Sequence, residues 1–264
     1  MYSPVRLAWK YLQYYFTAAN GKGHGIHSPF VFDFVTRVMN DRGPYPAWAA
    51  IEELRGRLLR DDRLVRIEDM GAGSAFAGAR MRKISDIARR AAKPPRLGQL
   101  LFRIAHHYQP ATVLELGTSL GLSTAYLATG APGARVISME GSGEIIKTAA
   151  ENLRSVGVDA ELIQGNFDVL LDPLLSRVGP VGLAFVDGNH RYEPTLRYFH
   201  SLMAHMSAPA VLIFDDIHWS ADMERAWAEI RADLRVYMTI DLFFIGLVFL
   251  REEFKVKQDF TIRF

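Results

Sequence analysis

No cysteine occurs in the 264 residues. Disulfide frameworks, thiolate metal sites and cysteine nucleophiles are therefore excluded together. Excess charge is missing too: 31 Lys and Arg against 29 Asp and Glu leave a formal net charge of +2. That balance is too even for nucleic-acid binding through bulk electrostatics. Long hydrophobic runs are also lacking. The longest, residues 242–250, has nine residues, whereas a spanning helix needs about 20. The first 16 residues are interrupted by Arg6, Lys10 and Gln13 and do not read as a signal peptide. The expectation is a cytoplasmic protein with no nucleic-acid and no membrane partner. What is present is globular material, 49% hydrophobic and 23% charged. At roughly 150 residues per domain it makes one large domain, or one with an appendage.

The pattern changes at Pro94 and Pro95. Before them, residues 5–19, 29–39, 46–60 and 79–92 carry helix-length apolar periodicity, with a flexible glycine-rich break at residues 21–25. Eleven of the 30 aromatic residues lie in the first 48. A helix holding Trp9, Tyr11, Leu12, Tyr14, Tyr15 and Phe16 is apolar nearly all round, so it needs cover on several sides. Residues 1–95 read as a helical extension with three open roles: a lid over substrate, a contact in a homodimer, or an enlargement of the core. The basic run from Arg80 to Arg96 reads as a solvated helix face, with attraction of an anionic substrate as the alternative. Residues 65–74 read as a strand and glycine turn; no acidic residue follows at the distance a nucleoside site needs, so the turn reads as structural, with part of a lid over the substrate as the other reading.

After Pro95 the chain alternates. Apolar, β-branched-rich runs at residues 112–116, 135–139, 160–163, 181–186 and 210–214 are separated by helical patterns, which implies a parallel sheet with helices on both faces. Residues 236–240 and 243–250 leave no room for a helix between them and should pair as an antiparallel hairpin. This layout resembles the class I S-adenosylmethionine-dependent methyltransferases. The resemblance implies an α/β fold over residues 96–264: a doubly wound, seven-stranded, mostly parallel sheet closed by the terminal hairpin.

The first strand of that region ends Glu115-Leu116-Gly117-Thr118-Ser119-Leu120-Gly121. Gly117 and Gly121 permit a tight turn and a close ligand approach to a helix N-terminus. The spacing differs from the G-x-G-x-x-G of dinucleotide folds and is similar to the methyltransferase form. Glu140 ends the second strand, 25 residues beyond Glu115, where ribose hydroxyls would be met. The third ends at Gly165-Asn166, where the family holds adenine. The resemblance thus places Glu115, Gly117, Thr118, Gly121, Ser123, Glu140, Gly165 and Asn166 on the cofactor, S-adenosylmethionine, with Ser123 at its methionine carboxylate.

The fourth strand ends Asp187-Gly188-Asn189-His190 and the fifth Asp215-Asp216. Carboxylates this close repel unless a cation lies among them, and hard oxygen donors favour magnesium, calcium or manganese. Asp at a helix start is also an ordinary cap. The pattern looks like the catechol O-methyltransferase-like group. That resemblance makes Asp187, Asp215 and Asp216 ligands of a divalent cation such as Mg2+, and His190, where the family often has Lys, the base. Asp187 and His190 form the expected catalytic pair, acting on oxygen of a small-molecule acceptor. A cofactor-binding protein without turnover and a nicotinamide-dependent dehydrogenase are the rival readings.

Overall fold

The computed structural model describes residues 1–67 and 80–264. The chain begins with α1 (Pro4–Thr17), α2 (Pro29–Phe34), a π turn (Val35–Met39) and α3 (Pro46–Leu58). Strands β1 (Leu64–Ile67) and β2 (Arg80–Lys83) precede α4 (Ile84–Ala91) and α5 (Pro95–Tyr108). Alternation then sets in with β3 (Thr112–Leu116), α6 (Leu122–Gly130), β4 (Arg135–Glu140), α7 (Gly143–Ser155), β5 (Glu161–Gln164) and α8 (Phe167–Val178). It continues through β6 (Val181–Val186), α9 (Tyr192–Met203), β7 (Met206–Asp215) and α10 (Ala221–Ala232). The chain closes with β8 (Met238–Asp241), β9 (Ile245–Leu250) and β10 (Gln258–Thr261). Two compact units emerge: Arg42–Arg177, and Met1–Asp41 together with Val178–Phe264. Helices α1 and α2 therefore pack in one unit, α3 and α4 in the other.

In the unit Arg42–Arg177, β3, β4 and β5 are parallel neighbours in that order. Every residue of β3 is buried, which explains its continuous apolar reading. Helices α5 and α6 cross at two glycines. A Cβ on Gly98 would stand 2.4 Å from the Tyr126 ring, and one on Gly130 would stand 2.5 Å from the Phe102 carbonyl. The Tyr126 hydroxyl donates to Glu52 at 2.6 Å, fastening α6 to α3. Residues 79–92, expected as one helix, instead begin with β2, which pairs antiparallel with β1 from Leu64↔Lys83 to Ile67↔Arg80. The apolar helical period starts only at Ile84, so the strand takes the basic residues before it. Apart from residues 65–67, the glycine turn expected at 65–74 lies outside the described residues.

In the other unit β6 and β7 are parallel, β9 lies antiparallel to β7, and β8 pairs antiparallel with β9. The expected terminal hairpin is thus present. One strand more than expected joins the sheet: β10 runs parallel beside β8, from Gln258↔Met238 to Thr261↔Asp241. Its sequence is polar and edge-like, with no apolar run to announce it. Helix α2 lays Phe30 and Phe34 edge-on against Phe249 of β9. Helix α1 starts at Ser3, whose hydroxyl caps the Arg6 amide, followed by Pro4 at the first helical position. One face of α1 is held from two sides: Tyr11 and Tyr14 pack on Phe243 at 5.1 and 5.2 Å between centroids, and Tyr14 donates its hydroxyl to the Ile262 carbonyl. Among the described residues no helix is long and apolar enough to cross a membrane.

A polar cluster pins the same face. Lys10 reaches both Glu224 oxygens at 2.9 and 3.0 Å, Tyr2 donates to Glu224 at 2.7 Å, and His218 meets it at 3.0 Å. Burial opposes ionisation of Glu224, but Lys10, Tyr2 and His218 outweigh it and hold the carboxyl below its ordinary range. A depressed pKa adds stability that is present above about pH 4.3 and lost as pH falls through the folded value. Glu224→Gln should therefore cost about 1 kcal/mol at pH 7, a figure discounted for solvent screening. Urea unfolding at pH 7 and pH 3 should show the gap from wild type shrinking at the lower pH.

Candidate active site

The turn after β3 rests on a buried carboxylate. Glu115 has no solvent exposure. Its Oε2 accepts from the Thr124 hydroxyl on α6 and, at 2.6 Å, from the Ser138 hydroxyl on β4. The Thr118 and Ser138 hydroxyls are 2.6 Å apart. Glu115 and Thr118 thus support the turn from beneath. Above them, Gly117 (φ 108°) and Gly121 (φ 84°) take left-handed backbone that other residues rarely adopt. The amides of Gly117 and Thr118 donate to the Met139 carbonyl at 2.9 and 3.1 Å, binding the turn to β4. Gly121 also lets α6 start close to α7, since a Cβ there would lie 3.2 Å from Leu153. Ser123 lies half-buried in the first turn of α6.

Glu140 ends β4 facing that turn. Its Oε2 accepts the Ser119 amide at 2.9 Å and its Oε1 the Ser142 amide at 3.0 Å. The two bonds fix the orientation of the carboxylate. The Gly165 amide donates to the Glu140 carbonyl at 2.9 Å, so the turn after β5 joins the same edge. Asn166 accepts the Asp168 amide on its side-chain oxygen at 2.8 Å, capping the start of α8. All of these groups stand at the carboxyl ends of parallel strands, where open α/β sheets bind ligands.

In the other unit, Asp187 after β6, His190 and Asp215 at the end of β7 each bring one ligand atom within 4.8 Å of the other two. His190 Nε2 is 3.4 Å from Asp187 Oδ1. Asp215 is only 1% exposed, so a charge on it depends on its neighbours. Asp216 is not among the three. Its backbone is left-handed (φ 55°), and its amide donates to the Phe244 carbonyl at 2.7 Å. Asn189 (φ 67°) and His190 (φ 31°) are also left-handed in succession. Asn189 is held by Tyr198 at 3.0 Å, and the His190 ring meets Trp219 edge-on at 5.5 Å. Such backbone persists only where packing enforces it, and it clusters at functional sites. Two carboxylate oxygens and an imidazole nitrogen make a donor set suited to a divalent cation.

Residue type alone did not disclose Ser119 and Ser142, because each acts through its amide. Nor did it disclose the support under the Asp215 loop. There His218 bridges Glu224 and Asp241, the latter at 2.8 Å, while Trp227 donates to the same Asp241 oxygen at 3.1 Å. Burial opposes the charged His218 ring, but Asp241 and Glu224 together raise its pKa.

Residues 114–217 match a family model described as a methyltransferase domain. The transmembrane O-methyltransferase of Homo sapiens is 36% identical over 125 residues, covering 44% of this chain and 41% of that protein. The catechol O-methyltransferase of Mycobacterium tuberculosis is 32% identical over 122 residues, 46% of this chain and 54% of that one. The chain spans about half the length of the curated relatives it matches. Among solved structures, the SAH-bound methyltransferase PaMTH1 of Podospora anserina aligns with a TM-score of 0.57 at 17% identity, covering 86% of this chain and 98% of that chain. At that identity the likeness bears on fold alone. The fold is the Rossmann-like methyltransferase fold, with a mostly parallel central sheet of eight strands. The matched segment, residues 114–217, is thus similar to methyltransferase domains. The curated proteins to which part of the chain is similar are O-methyltransferases, a catechol O-methyltransferase among them.

Replacing Thr124 by Val keeps the shape beside Glu115 and removes one donor. Leaving a buried carboxylate short of a hydrogen bond should cost about 1–3 kcal/mol. Chemical denaturation of Thr124→Val against wild type measures it.

Proposed function

We propose that this protein transfers the methyl group of S-adenosylmethionine to an oxygen of a small-molecule acceptor, with a divalent cation assisting at the acceptor. The observation that carries the reading is Glu140, an acid at the carboxyl end of β4 aimed by the Ser119 and Ser142 amides. A carboxylate so fixed suits two ribose hydroxyls, both donors. The first turn of α6, with Gly121 before it and Ser123 within it, offers free amides and the positive end of a helix to the methionine carboxylate. The Gly165-Asn166 turn borders the adenine. Glu115 and Thr118 act by holding the turn in place.

Asp187 and Asp215 would hold the cation, with Asp216 beside Asp215 in the same loop, leaving the His190 imidazole unligated. When bound, the ion lowers the pKa of the acceptor hydroxyl. The His190 imidazole takes the hydroxyl proton, Asp187 stabilising the charge that results. The oxygen's electron pair forms the new C–O bond as the S–CH3 bond breaks, and S-adenosylhomocysteine leaves neutral at sulfur. Orientation of acceptor and methyl donor supplies much of the rate.

Calorimetry with S-adenosylmethionine should give an affinity about tenfold or more lower for Glu140→Gln, from a carboxylate-to-hydroxyl interaction of about 1.5–3 kcal/mol. Asp215→Asn should keep wild-type affinity and lose turnover. Binding of NAD with none of S-adenosylmethionine would overturn the reading, and unchanged turnover of Asp215→Asn in a methyl-transfer assay would remove the acceptor half. His190→Gln should lower kcat by about 10²–10⁴. A Mn2+ titration followed by electron paramagnetic resonance should show one site in wild type and none in Asp187→Ala.

A further inference from the structure

Helix α1 carries two apolar faces, and the fold covers only one. Tyr14 and its neighbours face the unit, while Val5, Trp9, Leu12 and Phe16 recur at i, i+4, i+7 and i+11 on the opposite side. These four are 81%, 62%, 48% and 78% exposed. That is a continuous apolar stripe along the length of a helix, where scattered single exposures would be unremarkable.

The charges beside the stripe have one sign. No Asp or Glu occurs among the first 32 residues, which hold Arg6, Lys10 and Lys22. Arg6 lies over the Tyr2 ring at 4.2 Å near the start of α1, and Arg263 over the Tyr15 ring at 5.1 Å near its end. The acid that α1 engages, Glu224, is on the covered side and is taken by Lys10. A second copy of this chain laid on the stripe would bring guanidinium against guanidinium. An anionic surface would bring phosphate to both ends.

We propose that the outer face of α1 docks on an anionic lipid bilayer. Its 14 residues span about 21 Å at 1.5 Å each, shorter than the roughly 30 Å hydrocarbon core. The helix therefore lies in the plane of the interface. Val5, Trp9, Leu12 and Phe16 enter the boundary between headgroups and acyl chains, and Arg6 and Arg263 meet the phosphates. Trp9, Tyr2 and Tyr15 are residue types that favour that depth.

Flotation of the full chain with two vesicle compositions tests this. With phosphatidylcholine and phosphatidylglycerol mixed, the protein should float with the lipid at low salt and detach as salt is raised; with phosphatidylcholine alone it should stay largely behind. Trp9→Glu combined with Phe16→Glu should weaken anionic binding at least about tenfold, while the urea midpoint stays at the wild-type value because both positions are exposed. Arg6→Glu with Arg263→Glu should weaken it without touching the stripe. Wild-type protein that fails to float with anionic vesicles overturns the proposal, as does equal binding to both compositions. A dimer by sedimentation that Trp9→Glu and Phe16→Glu dissolve, with no vesicle binding, assigns the face to a second copy and overturns it equally.

Discussion

A carboxylate with no access to water must be hydrogen-bonded from within, and Glu115 is that carboxylate. Thr124 reaches it from α6 and Ser138 from β4, so one anion locks a helix start, a strand and the turn between them. The Gly117–Gly121 loop can then stay glycine-rich without becoming loose, because its base is fixed. Glu140, only 25 residues on, is the same chemical group in the opposite situation. Backbone amides orient it from two turns, and it remains half-exposed at the strand ends. Burial, rather than residue type, divides the two acids into one that holds the turn and one that can present oxygen to a ligand.

The other unit reaches a comparable rigidity through backbone strain. Asn189, His190 and Asp216 all hold left-handed conformations immediately beyond β6 and β7, each costing on the order of 1 kcal/mol or more. Tyr198, Trp219 and the Phe244 carbonyl hold them there. The Asp215 loop is anchored beyond its own residues, since His218 ties it to α10 and β8 and, through Glu224, to Lys10 of α1.

Much of this was legible because local patterns carried it. Strands β3, β4 and β6 are buried nearly throughout and read as continuous apolar runs. A polar residue closing such a run is itself a local signal, so Glu140, Asp187 and Asp215 stood out. Strand β10 did not, because Gln258–Thr261 is polar and its pairing partner, β8, lies 20 residues earlier. Strand β2 was hidden within a basic stretch that resembles a solvated helix, whereas its partner β1 falls where a strand was expected from residue 65. Ser119, Ser138, Ser142 and Thr124 act through an amide or a small hydroxyl, groups too common to be distinctive in sequence. The partners of His218, at positions 224 and 241, meet it only through tertiary packing.

The imidazole of His190 is asked to serve two purposes that draw on one resource. A nitrogen lone pair that ligates a cation is not available to accept a proton, so the same atom cannot be donor to the ion and base to the acceptor. The structure constrains the division, because Nε2 is the nitrogen facing Asp187 at 3.4 Å. If Nε2 ligated a cation, Nδ1 would carry the ring's one hydrogen and could accept no proton, so His190 can act as base only if Asp187 and Asp215 hold the ion without it. The lysine that family resemblance places at this position has no such choice, having one nitrogen and no ring to divide. Histidine at this position can be ligand or base but not both at once, and the proposed chemistry takes it as the base.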